Sequence, residues 1–192
     1  MNMFFNICFS FIFVLLFSTA ALSLDTTYRN RANVYLGPYF ASGGSLDTGF
    51  LIGFEEDFAL TENIYVGVGL DLLYISSPDY RLYRSGSYEV TDEFNTLFIN
   101  FVGGFQYPIN EKINAYAAAK LGLAVLDDND AANSSDSDDF AGSLEIGGRY
   151  ILSEQLDFGV YARYSLVGDF DYLPSALDLS GFSIGVAGGF SF

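Results

Sequence analysis

The sequence has no histidine and no tryptophan, and its only cysteine is Cys8. Without histidine there is no imidazole metal ligand and no Ser-His-Asp triad. There is also no side chain that ordinarily changes charge near neutral pH. A lone cysteine forms no intrachain disulfide, and Cys8 lies inside an N-terminal apolar run. The rest of the chain has no thiolate nucleophile and no cysteine metal site. Positive charge is scarce as well: 8 Lys and Arg stand against 24 Asp and Glu, for a formal net charge of −16. Nucleic-acid binding needs cations to neutralise phosphates, so that role is excluded.

What is present is aromatic and small. Phe and Tyr number 20 and 14, Gly numbers 20, and the chain has 192 residues, the size of one ordinary domain. Residues 4–21 are nearly all apolar. Ala21-Leu22-Ser23 then offers small residues at the −3 and −1 positions of a cleavage site. This pattern predicts a signal peptide over 1–23, cut after Ser23, although no Lys or Arg precedes the apolar run. The competing reading, an uncleaved anchor, needs a longer run. After residue 24 no apolar stretch is long enough for a spanning helix, so a membrane-embedded mature chain, 24–192, has to cross as strands.

From Ala32 onward the hydropathy alternates with period two. In the segment Ile64–Tyr74, one face carries Ile64, Val66, Val68, Leu70, Leu72 and Tyr74. The other carries Tyr65, Gly67, Gly69, Asp71 and Leu73. Successive strand side chains point to opposite faces, so this is one apolar wall and one small or polar wall. Eight such segments are predicted, at 32–41, 48–58, 64–75, 94–107, 113–126, 140–151, 156–167 and 181–192. Most are close to the roughly 9–11 residues of a tilted membrane strand. The segment 113–126 is Ala-rich and would also suit a helix. Ile113, Leu121, Leu123 and Val125 share its odd face, which favours strand.

The connections show a parity. Three tight ones read Leu-Thr-Glu-Asn-Ile, Ile-Asn-Glu-Lys-Ile and Leu-Ser-Glu-Gln-Leu, with Glu62, Glu111 and Glu154 at their centres. Long ones, 76–93, 127–139 and 168–180, follow the third, fifth and seventh segments. The first connection, 42–47, is short and Gly-rich and fits less well. Alternating turns and loops, with every backbone group paired in a closed ladder, describe an outer-membrane barrel. A soluble ligand-carrying barrel uses the same alternation inverted. Its outer face would be charged, whereas the polar face here is mostly Gly, Ser, Ala, Asn and Tyr.

With its opening strand Val34-Tyr-Leu-Gly-Pro-Tyr-Phe40 and its ending Gly188-Gly-Phe-Ser-Phe192, the chain resembles the small outer-membrane barrels of Gram-negative bacteria. That group contains the OmpA transmembrane domain, OmpX and the opacity-type surface proteins. The resemblance implies an all-β, eight-stranded antiparallel up-and-down transmembrane barrel, monomeric, in the cell outer membrane. Loops would be extracellular and both termini periplasmic. It implies that Phe190 and Phe192 form the signal read by the barrel-assembly machinery. Barrel enzymes of this kind that act on lipid A or on peptides depend on a histidine, so no enzymatic activity, catalytic residue or cofactor is expected.

Few charges fall on the strands, and most share the polar face: Glu55, Asp57, Asp71, Lys120, Glu145, Arg149, Asp157 and Arg163. Within so narrow a barrel they read as an ion-pair network filling the lumen. The alternative is a cation-preferring channel for small solutes that uses surplus carboxylates. Glu56 breaks the alternation between Phe54 and Phe58. Either it sits at the membrane boundary or a bulge shifts the register. The connection 127–139 is dense in Asp but lacks EF-hand spacing, so it reads as a solvated, self-repelling loop with no metal site. The connection 76–93 places Tyr80, Arg81, Tyr83, Arg84 and Tyr88 among Ser, Gly and Pro. Those residue types suit an extracellular ligand or host surface, or lipopolysaccharide phosphates with an aromatic girdle.

Overall fold

The computed structural model of the chain describes residues 30–42, 48–76, 81–84, 87–90, 93–127, 137–168 and 179–192. The segment 1–23 predicted as a signal peptide, Tyr80 and most of the connections 127–139 and 168–180 lie outside these residues. The strands are β1 (Arg31–Ala41), β2 (Thr48–Ala59), β3 (Ile64–Ser76), β4 (Arg81–Arg84), β5 (Ser87–Val90), β6 (Glu93–Asn110), β7 (Ile113–Asp127), β8 (Ser137–Ile151), β9 (Leu156–Val167) and β10 (Gly181–Ser191). Eight of them close into one antiparallel barrel in the order β1-β10-β9-β8-β7-β6-β3-β2. Among the described residues no helix is long and apolar enough to cross a membrane.

Each of the eight predicted segments is a barrel strand, including the Ala-rich β7. Strand wins there because Ala115, Ala117 and Ala119 pair with flanking strands on both sides, and Leu121 and Leu123 share their outward face. Differences occur at the ends. β6 runs on to Asn110 through a register shift between Pro108 and Asn110, where proline has no N–H to give to the ladder. β8 begins at Ser137, before its predicted start. The connection 76–93 holds a small hairpin, β4–β5, that periodicity did not reveal. Its strands have only four residues each, too short for an alternation to register.

The three tight turns share one construction. Thr61 Oγ1 accepts hydrogen bonds from the N–H groups of Asn63 and Ile64. Asn110 Oδ1 does the same for Lys112 and Ile113, and Ser153 Oγ for Gln155 and Leu156. A short polar side chain at the first turn position thus satisfies two backbone donors that the ladder leaves over. The turns and the chain ends share one rim: Ser191 N donates to Gln155 O, and Asn30 and Phe192 exchange backbone hydrogen bonds. This is the turn end of the barrel. The longer connections mark the loop end.

The outer wall is apolar. Val34, Phe101, Leu121, Leu144, Ile146, Val160, Leu166 and Val186 are exposed on it. Glu56 keeps the outward parity in unbroken register, opposite Ala32 on β1 and Val68 on β3, although its side chain is buried. The bulge alternative is therefore excluded.

The inner wall explains why glycine and tyrosine are abundant. Five lumen tyrosines stand directly across from a glycine: Tyr35 and Tyr39 opposite Gly53 and Gly49, Tyr65 opposite Gly104, Tyr116 opposite Gly147 and Tyr161 opposite Gly185. A narrow barrel has room for a ring only where the neighbouring strand lacks a side chain. A Cβ at Gly147 would overlap the Tyr116 ring, whereas one at Gly103, on the outer wall, would meet nothing within 4 Å. Gly147→Val should therefore destabilise the barrel by about 1–3 kcal/mol through overpacking. Gly103→Val should leave it unchanged or slightly more stable. Denaturant unfolding of the two variants in lipid vesicles checks the contrast.

Candidate functional site: the filled lumen

The inner wall divides into three layers. The middle one is charged and centred on Glu145. Its Oε1 accepts a hydrogen bond from the Tyr116 hydroxyl at 2.9 Å. Its Oε2 accepts from Arg163 Nε at 2.7 Å, with Arg163 Nη2 at 2.6 Å and Lys120 Nζ at 3.3 Å. Lys120 also binds Glu55 Oε2, whose other oxygen takes the Tyr35 hydroxyl at 3.1 Å. Arg163 Nη1 reaches Asp71 Oδ2 at 2.8 Å, and Asn100 donates to the same oxygen at 2.9 Å. Tyr35, Glu55, Asp71, Asn100, Lys120, Glu145 and Arg163 come one each from β1, β2, β3, β6, β7, β8 and β9, so the layer ties every barrel strand except β10.

These charges are out of water: Lys120, Glu145 and Arg163 are at most 2% exposed. Isolated burial would be costly, and the geometry supplies the compensation. Every carboxylate of the layer meets a cation, and the cations also lie over rings. Lys120 Nζ is 4.6 Å from the Tyr35 ring centre. The Arg163 guanidinium is 5.2 Å from Tyr35 and 5.4 Å from Tyr161.

Toward the turn end the pairing loosens. Arg149 stacks on Tyr116 at 4.1 Å. Its Nη2 is 3.8 Å from Asp57 Oδ2, beyond hydrogen-bond length. Asn33 donates to that same Asp57 oxygen at 2.7 Å. At the rim, Arg31 Nε and Asp157 Oδ2 pair at 3.2 Å. Half of the chain's 8 basic residues, namely Arg31, Lys120, Arg149 and Arg163, are thus spent inside the barrel.

Toward the loop end the lumen is apolar. Tyr39, Leu51, Leu73, Ile75, Phe98, Ala124, Ala141, Val167 and Leu179 form one buried cluster.

The structure gathers Glu55, Asp71, Lys120, Glu145 and Arg163 into a single network, and places Arg149 one step away on Asp57. Sequence reasoning missed the neutral members Tyr35, Asn100 and Tyr116, the rim cation Arg31 and the whole apolar layer. A signal existed for the last. On the inward parity, polar residues give way to Leu73 and Ile75 on β3 and to Leu51 on β2 as the loop end is approached. Phe190 and Phe192 lie at the turn end, their rings 6.3 Å apart and stacked. Of the loop residues, Arg81, Tyr83, Arg84 and Tyr88 fall on the β4–β5 hairpin, where Tyr83 pairs with Tyr88 and Arg81 with Val90.

Chemically, the middle layer is a clamp. Its carboxylates are engaged by cations, which leaves no free acid or nucleophile there. Glu145→Ala would take one of two carboxylates from each of two buried cations, leaving Lys120 with Glu55 and Arg163 with Asp71, and should destabilise the barrel by about 3 kcal/mol. Lys120→Met should cost a similar amount, and adding Glu55→Leu should recover part of it, because the second change removes the carboxylate left unpaired. Urea unfolding of the single and double variants measures this coupling.

The family model described as "Outer membrane protein beta-barrel domain" matches residues 9–190 of the chain. Neisserial surface protein A is 17% identical, with 85% of this chain and 96% of that one covered, at a TM-score of 0.57. The N-terminal β-barrel domain of Pseudomonas aeruginosa OprF is 14% identical, with 85% and 97% covered, at a TM-score of 0.52. At such identities these likenesses concern the fold alone. The outer-membrane enzyme PagL is 14% identical, with 83% and 97% covered, at a TM-score of 0.46, which is too distant to bear on activity. No curated protein sequence matches the chain. With a family model spanning nearly its whole length and a closed eight-stranded barrel, the chain belongs to the outer-membrane β-barrel protein family.

Proposed function

We propose that this protein is a surface-interaction barrel, a rigid membrane-embedded scaffold that acts through the connections at its loop end. The observation that carries this reading is the filled lumen. An ion crossing it would have to displace the Glu145 clamp and then enter a largely apolar layer that offers it few polar partners. With a filled lumen, the connections are the parts of the molecule left to meet other molecules. In this reading the long connections face outward and the turns and both termini face the periplasm. Phe190 and Phe192 address the chain to the assembly machinery, and the barrel works as a monomer among outer-membrane lipid and lipopolysaccharide.

The β4–β5 hairpin is the best-equipped contact element. Its register pairs Arg81 with Val90, Tyr83 with Tyr88 and Arg84 with Ser87. Arginine forks suit phosphate or carboxylate groups, and tyrosine provides contact area at low entropic cost. The partners proposed for it are lipopolysaccharide phosphates and an extracellular ligand or host surface. We assign no catalytic activity, since the chain lacks histidine and its central carboxylates are engaged by cations.

The alternative, a narrow cation-preferring channel, draws on the carboxylate surplus of the middle layer, where Glu55, Asp71 and Glu145 face Lys120 and Arg163. Planar-bilayer recording separates the two. The interaction reading expects no steady conductance, and a sustained cation-selective current would replace it with the channel. In parallel, Arg81→Ala combined with Arg84→Ala should weaken attachment to lipopolysaccharide-containing vesicles and leave the unfolding midpoint unchanged.

A further inference from the structure

Leu179 belongs to no barrel strand, yet it is completely buried at the loop end of the lumen. It stands just before β10 and packs with Leu51, Leu73, Ile75, Phe98 and Ala124, which face inward from β2, β3, β6 and β7. Polar ties to its backbone and its neighbour hold it there. The Tyr39 hydroxyl donates to Leu179 O at 2.6 Å. Ser42 N donates to Ser180 O at 2.7 Å. Val167 N donates to the Ser180 hydroxyl at 3.1 Å. These partners sit at the loop ends of β1 and β9, the two strands that flank β10. The chain is therefore pinned from both sides where it enters the last strand.

We propose that Leu179 is a stopper, a side chain that seals the loop end of the lumen against water and small solutes. The inward residues of β2, β3, β6 and β7 line the loop end of the lumen, and Leu179 joins them there from outside the ladder. An apolar group suits this place because the walls offer it dispersion contacts and offer entering water few partners. The two ends of the lumen then differ in kind. The turn end carries an open recess of about 310 Å³ lined by Arg31, Thr61, Glu62, Gln106, Glu154 and Asp157, among others. With the loop end sealed, the charged layer would meet solvent only from the turn end. The inference deepens the reading of a closed lumen, and it fails separately, because conductance reports the whole path and the test below reports only one end.

The test uses thiol accessibility. On a Cys8→Ser background, Ala124→Cys places a single thiol in the same buried cluster as Leu179, at a position with no exposed surface. In folded protein in lipid vesicles this thiol should resist a small methanethiosulfonate reagent. Adding Leu179→Ala should raise its labelling rate at least about tenfold, since the lost side chain leaves a cavity at the mouth. Tyr39→Phe, which removes one tie and keeps Leu179, should raise it by about fivefold. It also serves as the test if Leu179→Ala lowers the folded yield, judged by the heat-dependent gel shift. Rapid labelling in the parent would show that the loop end is not sealed. Equal protection in all three would show that the surrounding apolar wall suffices without Leu179. Either result overturns the proposal.

Discussion

Closure of the hydrogen-bonded ladder is the constraint from which the rest follows. In hydrocarbon an unpaired backbone N–H or C=O has no water to turn to, so the first and last strands have to find each other. Here β1 and β10 pair from Arg31 with Ser191 to Ala41 with Gly181. That one seam turns an open sheet with two hazardous edges into a surface with none. It also sets the radius. Eight strands enclose a space too small for a wide aqueous channel and too large to leave empty.

Filling that space from strands of alternating pattern yields the chemistry of the inner wall. Large rings enter where glycine lies opposite, as with Tyr65 over Gly104 and Tyr116 over Gly147. Charges enter as a set, because each is expensive alone and tolerable when shared. Glu145 shows the principle: one carboxylate serves Tyr116, Arg163 and Lys120, which stand on β7 and β9, the two neighbours of its own strand. The network thus does for the inside what the ladder does for the wall, tying strands distant in sequence. Asp71 and Arg163 are 92 positions apart and in direct contact.

In the proposed reading, a lumen filled by ion pairs and by a largely apolar layer moves function to the ends of the molecule. At the turn end, short polar side chains complete the backbone pairing of compact turns, leaving Glu62, Glu111 and Glu154 in solvent. In the long connection between β3 and β6 lies the Tyr- and Arg-bearing hairpin β4–β5. A stiff barrel suits such a role, since a binding element held by a fixed scaffold loses less entropy when it meets its partner.

Much of this was legible in the chain itself. Period-two alternation defined the eight strands, because side-chain direction in a strand depends only on parity. Three polar residues between apolar ones, centred on Glu62, Glu111 and Glu154, marked the tight turns, because so short a polar break leaves room only for a local reversal; the bonding by Thr61, Asn110 and Ser153 came from the structure. The missing histidines and the scarcity of cations excluded whole classes of chemistry outright. Parity also assigned Glu55, Asp71, Lys120, Glu145, Arg149 and Arg163 to the inside. What it could not say was which of them touch. Strand stagger around the closed barrel makes Glu145 the hub and leaves Arg149 at 3.8 Å from Asp57. It also brings the Tyr39 hydroxyl to the Leu179 carbonyl, 140 positions away. Membership of the inner wall is a property of one strand and is written in its sequence. Partnership within that wall depends on the register among all eight strands, and only the closed tertiary structure decides it.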